Sequence, residues 1–492
     1  MTMHLSTLAN VQQWLLQGHV ELHPILHGEG KTGFTRVHTD SRSIEAGDLF
    51  VALRGDTFDA NAFLHQAKER GASGVICHEG LAASQYPAGL ARIEVNDSTL
   101  ALGQLAHAWR AQFSLPLIAV TGSNGKTTVT QMIAAILHQH APNGAALATL
   151  GNLNNAIGLP LTLLRLRETH RIAVVELGMN HPGEIAQLAA IAQPTIALVN
   201  NAQREHLEFM QTVDAVAKEN GSVLAHLPSQ GCAVFPTDDI YASVWQAQSS
   251  AKSTLGFGAN RSAAEDGVFG EDAYWENGGW SVRARWQHDG DGGLLKYRLG
   301  IAGLHNVRNS WAAAACALAA GVSPAAIERG LQAFEPVKGR SRALQLQWGP
   351  RHIQLVDDSY NANPDSVHAA INVLRDLPAP RLLVLGDMGE VGADGPQLHA
   401  QAGLYAQEQG IEQLLATGTL SQSSVSAFSD AGGRGQHCSD MASLLEAVTQ
   451  ALPQTASVLV KGSRFMRMEK VIEAMQTQCV TQFNPQEPAH AP

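Results

Sequence analysis

Nine residues, Val120-Thr-Gly-Ser-Asn-Gly-Lys-Thr-Thr128, constrain this chain more than any other segment. They follow the apolar run Leu117-Ile-Ala-Val120 and lead into an amphipathic stretch that begins near Lys126. A short continuous apolar run reads as a buried parallel strand, so the order strand, glycine loop, helix predicts an open α/β sheet. Gly122 and Gly125 let backbone N–H groups come close to phosphate oxygens, and the helix N-terminus adds its positive dipole end. Lys126 can reach the β/γ-phosphates and the Thr127 hydroxyl can bind Mg²⁺. Gly122, Ser123, Asn124, Gly125, Lys126, Thr127 and Thr128 are therefore the candidate nucleotide site. The spacing departs from G-x-x-x-x-G-K-[ST], because Val120 stands where the first glycine would be. A ligand-free strand–helix turn is the plain alternative.

The α/β alternation continues on both sides of the loop. Ile172-Ala-Val-Val and Thr195-Ile-Ala-Leu-Val repeat the buried-strand pattern, with helices beginning near Lys126 and Gly183. Trp280 to Trp286 and Leu294 to Leu299 alternate around His288-Asp-Gly-Asp-Gly-Gly, which predicts a hairpin inserted before an Ala-rich helix following Asn309. Upstream, strands at Asp48 and Gly74 and helices over Ala60 to Arg70 and Ser98 to Phe113 predict a small mixed domain ending near Pro116. Downstream of Phe334-Glu-Pro336, strands at His352 to Val356, Arg381 to Leu385, Ile411 to Ala416 and Ser457 to Val460 alternate with helices. With 492 residues and about 150 per domain, three domains are expected: 1–114, 115–335 and a Rossmann-like 336–492. The only low-complexity segment is the tail after Gln482.

Composition excludes several classes. At 45% hydrophobic the chain can bury cores. Thirty-three Lys+Arg against 44 Asp+Glu leave a net charge of −11, unsuited to wrapping nucleic acid or coating an anionic membrane. Cys77, Cys232, Cys316, Cys438 and Cys479 are odd in number and far apart, so neither a disulfide framework nor a thiolate zinc site is expected. The stretch from Trp311 to Val322 is too short to span a bilayer, and the first residues lack a secretory pattern. A cytoplasmic location is expected.

Residues elsewhere decide what the triphosphate is for. Glu176 ends the strand Val174-Val-Glu-Leu-Gly178, at the sheet edge where ligands gather, and can hold a hard cation. His206 follows the next strand on the same edge and is a candidate metal ligand, with a structural histidine as the alternative. Lys218 alone signals nothing.

The loop, Gly151-Asn-Leu-Asn-Asn155, Glu176-Leu-Gly, His206-Leu-Glu, His305-Asn-x-x-Asn309, Gly339-Arg340 and Asp357-Asp-Ser-Tyr-Asn-Ala-Asn363 follow one another in the order found in the Mur ligases. The chain resembles that family, ATP-dependent amide-forming enzymes of peptidoglycan precursor assembly, to about Gln478. Asp-Ser-Tyr-Asn-Ala-Asn, Gly386-Asp-Met-Gly-Glu390 and Val460-Lys-Gly-Ser-Arg464 are similar to the branch that joins D-alanyl-D-alanine to UDP-N-acetylmuramoyl-tripeptide.

The resemblance implies a UDP-binding N-terminal domain, an ATP-binding central domain, and a C-terminal domain for the dipeptide and part of ATP. It implies two Mg²⁺, the first on Thr127 and Glu176, the second on His206 and a carbamylated lysine aligned with Lys218. Lys126, His206 and Lys218 would be the catalytic set. Asn309 would face adenine, although an asparagine bending its helix is an equal reading of the residue. Arg340 would reach phosphate, Asp358 the ribose, and Tyr360 the same cleft. Asp40, Ser41 and Arg42, then Asn152, Asn155, Asn361, Asn363, Lys461 and Arg464, fall to the substrate side. Ala60-Asn61 stands where the family usually carries Gly-His, which changes the uridine-side contacts. A monomer is expected. Two readings compete: another amide ligase of the superfamily, such as an amino-acid-adding Mur enzyme or folylpolyglutamate synthetase, and a phosphate-loop switch that hydrolyses nucleotide without an acceptor.

Overall fold

A computed structural model describes residues 5–18, 20–55, 57–259, 266–276 and 278–481. The polar tail after Gln482 lies outside these. Three large sheets, of five, nine and seven strands, follow one another along the chain.

The central sheet is built around Leu117–Thr121, whose five residues are all buried. Ile172–Glu176 and Ile196–Val199 flank it in parallel, with Glu176 opposite Val120 and Val199 opposite Thr121. Valine, isoleucine and leucine on both faces suit a strand covered by helices on both sides. The next strand in the chain, Ala146–Ala148, lies beyond Ile172–Glu176, whereas the later strands lie on the opposite side of Leu117–Thr121. The order therefore reverses at Leu117–Thr121, and a crevice opens at the carboxyl ends of these strands.

The expected insertion takes a different form. Gly279–His288 and Asp291–Leu299 do form a hairpin, turning at Asp289 and Gly290, both with positive φ. However, Gly279–His288 also pairs with Gly267–Glu276, which runs parallel to Ser253–Gly258. The hairpin thus extends the main sheet. The Ala-rich helix, Leu304–Ala319, starts before Asn309 and packs its small residues against this sheet.

In the first unit, Ala60 to Arg70 splits into a 3-10 turn, Ala60–Phe63, and a short α-helix, Leu64–Glu69. Asp59 caps the turn through the Asn61 N–H. Ser98–Arg110 forms the expected helix, capped by Asp97. In the third unit, Arg351–Asp358, Ser457–Lys461, Arg381–Leu385 and Gln413–Thr417 are parallel neighbours. Arg342–Trp348, Arg434–Cys438 and Val480–Thr481 add strands that the apolar pattern alone does not reveal. Among the described residues, no helix is long and apolar enough to cross a membrane.

Candidate active site

One cleft of about 1820 Å³ lies at the carboxyl edge of the central sheet, lined by residues of all three units. A drug-sized ligand occupies a cavity of roughly 300–1,000 Å³, so this volume suits more than one reactant.

The phosphate loop forms the floor. Gly122 and Gly125 have φ of +127° and +80°. A Cβ on Gly122 would sit 3.0 Å from the Asn200 Cβ, and one on Gly125 would sit 2.8 Å from the Asn309 side-chain amide. Glycine is required at both places for conformation and for space. The loop is braced from below by amides. Asn201 Oδ1 accepts from the Asn124 N–H at 2.9 Å, and Asn200 Nδ2 donates to the Asn124 carbonyl at 2.9 Å. Asn309 accepts from Asn200 and donates to Asn306, so its side chain props the loop while also lining the cleft. Lys126 Nζ donates to the Gly122 and Ser123 carbonyls and meets Glu205 Oε2 at 3.2 Å.

Two buried oxygens point to a cation. Thr127 and Glu176 are 3% and 2% exposed, and Thr127 Oγ1 and Glu176 Oε2 have no hydrogen-bond partner among the described residues. Asn154 Nδ2 donates to the other Glu176 oxygen at 2.7 Å and fixes the carboxylate. An unpaired buried polar atom costs about 1–3 kcal/mol, more when charged. A hydroxyl and a carboxylate oxygen are what Mg²⁺ takes, so these residues fit that ion.

His206, held at a φ of +47°, meets Glu390 through Nδ1 and stands 4.0 Å from Glu205 Oε2 through Nε2. The His206 hydrogen bond holds the Glu390 carboxyl below its ordinary range. Lys218 is not part of this cluster. Its side chain is 60% exposed, points out of the Val213–Gly221 helix and pairs with Asp214 at 2.7 Å, which raises its pKa. The residue of that helix that reaches the loop is Asn220, which is buried.

The C-terminal unit supplies the opposite wall. Asp358 and Lys461 are register neighbours on parallel strands and form an ion pair of 2.6 Å. Lys461 also donates to the Asn361 carbonyl, so its charge is engaged rather than free for a carboxylate. The other Asp358 oxygen accepts from the Ser341 N–H at 2.9 Å. The Arg340 guanidinium lies 4.2 Å above the Tyr360 ring, and that of Arg464 at 5.5 Å. Asn363 caps the Pro364–Arg375 helix and donates to Asn124 Oδ1 at 2.9 Å, linking this wall to the phosphate loop.

Several expected substrate residues have other occupations. Asp40, Ser41 and Arg42 lie outside the cleft lining, and Arg42 folds back onto Asp40, holding that carboxyl well below the usual range. Asn155 lines the cleft but accepts from the N–H groups of Ile157 and Gly158 and so shapes a helix start. Asn152 and Asn361 line the cleft with exposed side chains. The N-terminal unit faces the cleft instead through Trp14, Asp97, Gln104 and His107, none of which carries a sequence signal. Glu205 and Asn154 are further members, visible in sequence only as polar neighbours of His206 and Asn155.

The comparisons agree with this geometry. Family models described as the Mur ligase family catalytic domain, middle domain and glutamate ligase domain match residues 34–110, 120–317 and 323–464. UDP-N-acetylmuramoyl-tripeptide–D-alanyl-D-alanine ligase of Escherichia coli K12 is 38% identical over 461 residues, 93% of this chain and 97% of its own. A crystal structure of MurF from Acinetobacter baumannii superposes with a TM-score of 0.83 at 34% identity, covering 95% and 98% of the two chains. MurF of Thermotoga maritima, solved with ADP, has a TM-score of 0.76 at 24% identity over 90% and 97%, a likeness of fold. A glycine loop between strand and helix, two buried oxygens beside it without partners among the described residues and a facing wall from a third unit are thus met by similarity over more than nine-tenths of the chain, and the chain belongs to the Mur ligase family.

Proposed function

We propose that the chain joins D-alanyl-D-alanine to UDP-N-acetylmuramoyl-tripeptide, converting ATP to ADP and phosphate, in peptidoglycan synthesis. The observation that carries this reading is the single cleft in which the phosphate loop faces Arg340, Asp358 and Tyr360 of the C-terminal unit. A ligase must bring nucleotide and two acceptors together, and a cleft walled by three units does so.

In this reading residues 1–114 hold the UDP end, 115–335 hold ATP, and 336–492 hold the dipeptide and close over the nucleotide. The terminal carboxylate of the tripeptide attacks the γ-phosphorus, ADP leaves, and an acyl phosphate forms. The dipeptide amine then attacks the acyl carbon, loses a proton, and phosphate departs. Two anions meet in the first step, so positive charge at the γ-phosphate is the main requirement. Lys126 supplies it from below, and Arg340 from the facing wall. Thr127 and Glu176 would hold one Mg²⁺ and His206 would help to hold a second, and bound Mg²⁺ would supply Lewis-acid charge for the transfer. Asp358 and Asn309 orient the nucleoside, while the guanidinium groups of Arg340 and Arg464 over its ring stiffen Tyr360. The enzyme so described is cytoplasmic and monomeric.

ADP release measured with and without each acceptor tests the reading. Turnover that requires both the UDP-linked tripeptide and D-alanyl-D-alanine is expected. Equal ADP production without them would replace the ligase by a nucleotide-driven switch.

A further inference from the structure

We propose that Glu205, aimed by Asn220, supplies the oxygen anion beside the phosphate loop in this chain, and that no modified lysine serves there. The proposal rests on the ligase reading for its chemistry and on three observations of geometry.

First, the rotation of the Val213–Gly221 helix is fixed from several sides. Glu219 accepts from the N–H groups of Gly183 and Ile185, both at 2.9 Å, at the start of the neighbouring helix. Trp245 Nε1 donates to the Ala217 carbonyl at 3.0 Å. Asn220 is 1% exposed. Two helical positions are about 200° apart around the axis, so facing Asn220 inward turns Lys218 outward.

Second, the Asn220 amide has one possible orientation. Its Oδ1 accepts from the Gly122 N–H at 2.8 Å, so its Nδ2 must face Glu205, donating to Oε1 at 3.1 Å. One carboxylate oxygen is thereby held, and Oε2 is left toward Lys126 and His206. Third, Glu205 is 5% exposed and lines the cleft, and the lysines in that lining are Lys126 and Lys461, both in ion pairs. A buried carboxylate between a lysine and a histidine at the phosphate loop is the acceptor-only group that a hard cation needs. Asn220 is its positioning residue.

The test is Mn²⁺ binding to the full chain with ADP, followed by electron paramagnetic resonance. Two Mn²⁺ per chain are expected for the native protein and one for Glu205→Gln. Asn220→Ala should keep the second ion about 10–100-fold more weakly, the usual effect of losing an outer-shell partner. Glu205→Asp guards against a folding failure: it should keep the second ion where Glu205→Gln loses it. In parallel, protein equilibrated with ¹³C-bicarbonate should show no carbamate carbon by NMR, and Lys218→Ala should retain activity that acetate does not change. Two tightly bound Mn²⁺ in Glu205→Gln, or a carbamate signal that disappears in Lys218→Ala, would overturn the proposal. The Mn²⁺ and carbamate readouts need no acceptor substrates, so failure there is separable from failure of the ligase reading.

Discussion

The central unit meets its two neighbours through junctions of opposite character. Toward the N-terminal unit the contact is a continuous core. Leu8, Val11, Leu15, Leu102 and Leu105 belong to the same buried cluster as Leu159, Leu163, Ile185 and Leu188. Buried Arg110 fastens it, donating to the carbonyls of Phe113, Leu115, Ala192 and Gln193. Toward the C-terminal unit the bridges are polar: Asn124 to Asn363, Arg204 to Asp365 at 2.7 Å, and His206 to Glu390. The C-terminal unit has cores of its own, which among the described residues take in only Ala302 from the central unit. Apolar area removed from water is non-directional and hard to give up, whereas polar bridges can be exchanged for water. The first junction therefore builds one body, and the second leaves a wall that can open.

The contrast can be broken at several points. Lys126 lies on the fixed side, and Lys126→Ala should lower kcat by about 10²–10³-fold or more. Steady-state kinetics within tenfold of the native enzyme would remove Lys126 from the transferred phosphate. Arg110→Ala should leave four carbonyls short of a donor and destabilise the chain by about 2–4 kcal/mol. Calorimetry should show a lower first transition, and an unchanged melting curve would mean that the guanidinium is replaceable by water. Asp365→Ala should do the opposite. The Arg204–Asp365 pair is about one-quarter exposed, and losing it should raise the KM for the dipeptide about fivefold, near 1 kcal/mol, at constant stability. A fall in melting temperature without a change in KM would contradict the division.

The smallest effect is kinetic. Burial pushes the Cys77 thiol up to about 12 and the Cys232 thiol up to about 11, so neither reacts while folded. Under mild denaturant Cys77, Cys232 and Cys316 should be labelled together, and Cys438 with Cys479 in a separate phase. A single phase for all five would make the three units one cooperative body.

The phosphate loop is legible because strand, glycines, lysine and helix start are contiguous, and local order alone places them. Thr127 and Glu176 are legible for the same reason, each at a strand–helix boundary on one edge. Lys218 is misplaced by sequence because its position depends on helix rotation, which contacts from Glu219, Asn220 and Ala217 decide. Asn220, two residues on, carries no signal until the Gly122 N–H is seen to need an acceptor. The cleft residues Trp14, Asp97 and Gln104 come from a unit remote in sequence, and only packing brings them in. Arg342–Trp348 does alternate at Leu344, Leu346 and Trp348, but lying between Arg351–Asp358 and the two-residue strand Val480–Thr481 near the margin of its sheet, it lacks the continuous apolar run that marks the buried central strands.

The central claim, that the cleft transfers phosphate onto the tripeptide carboxylate before the amide forms, has a direct isotopic test. The UDP-linked tripeptide is labelled with ¹⁸O in its terminal carboxylate, and the phosphate released during turnover with ATP and D-alanyl-D-alanine is analysed by mass spectrometry. One labelled oxygen in each phosphate per amide formed is the predicted result. Unlabelled phosphate would show that water, not the carboxylate, attacks the γ-phosphorus, and would contradict the account.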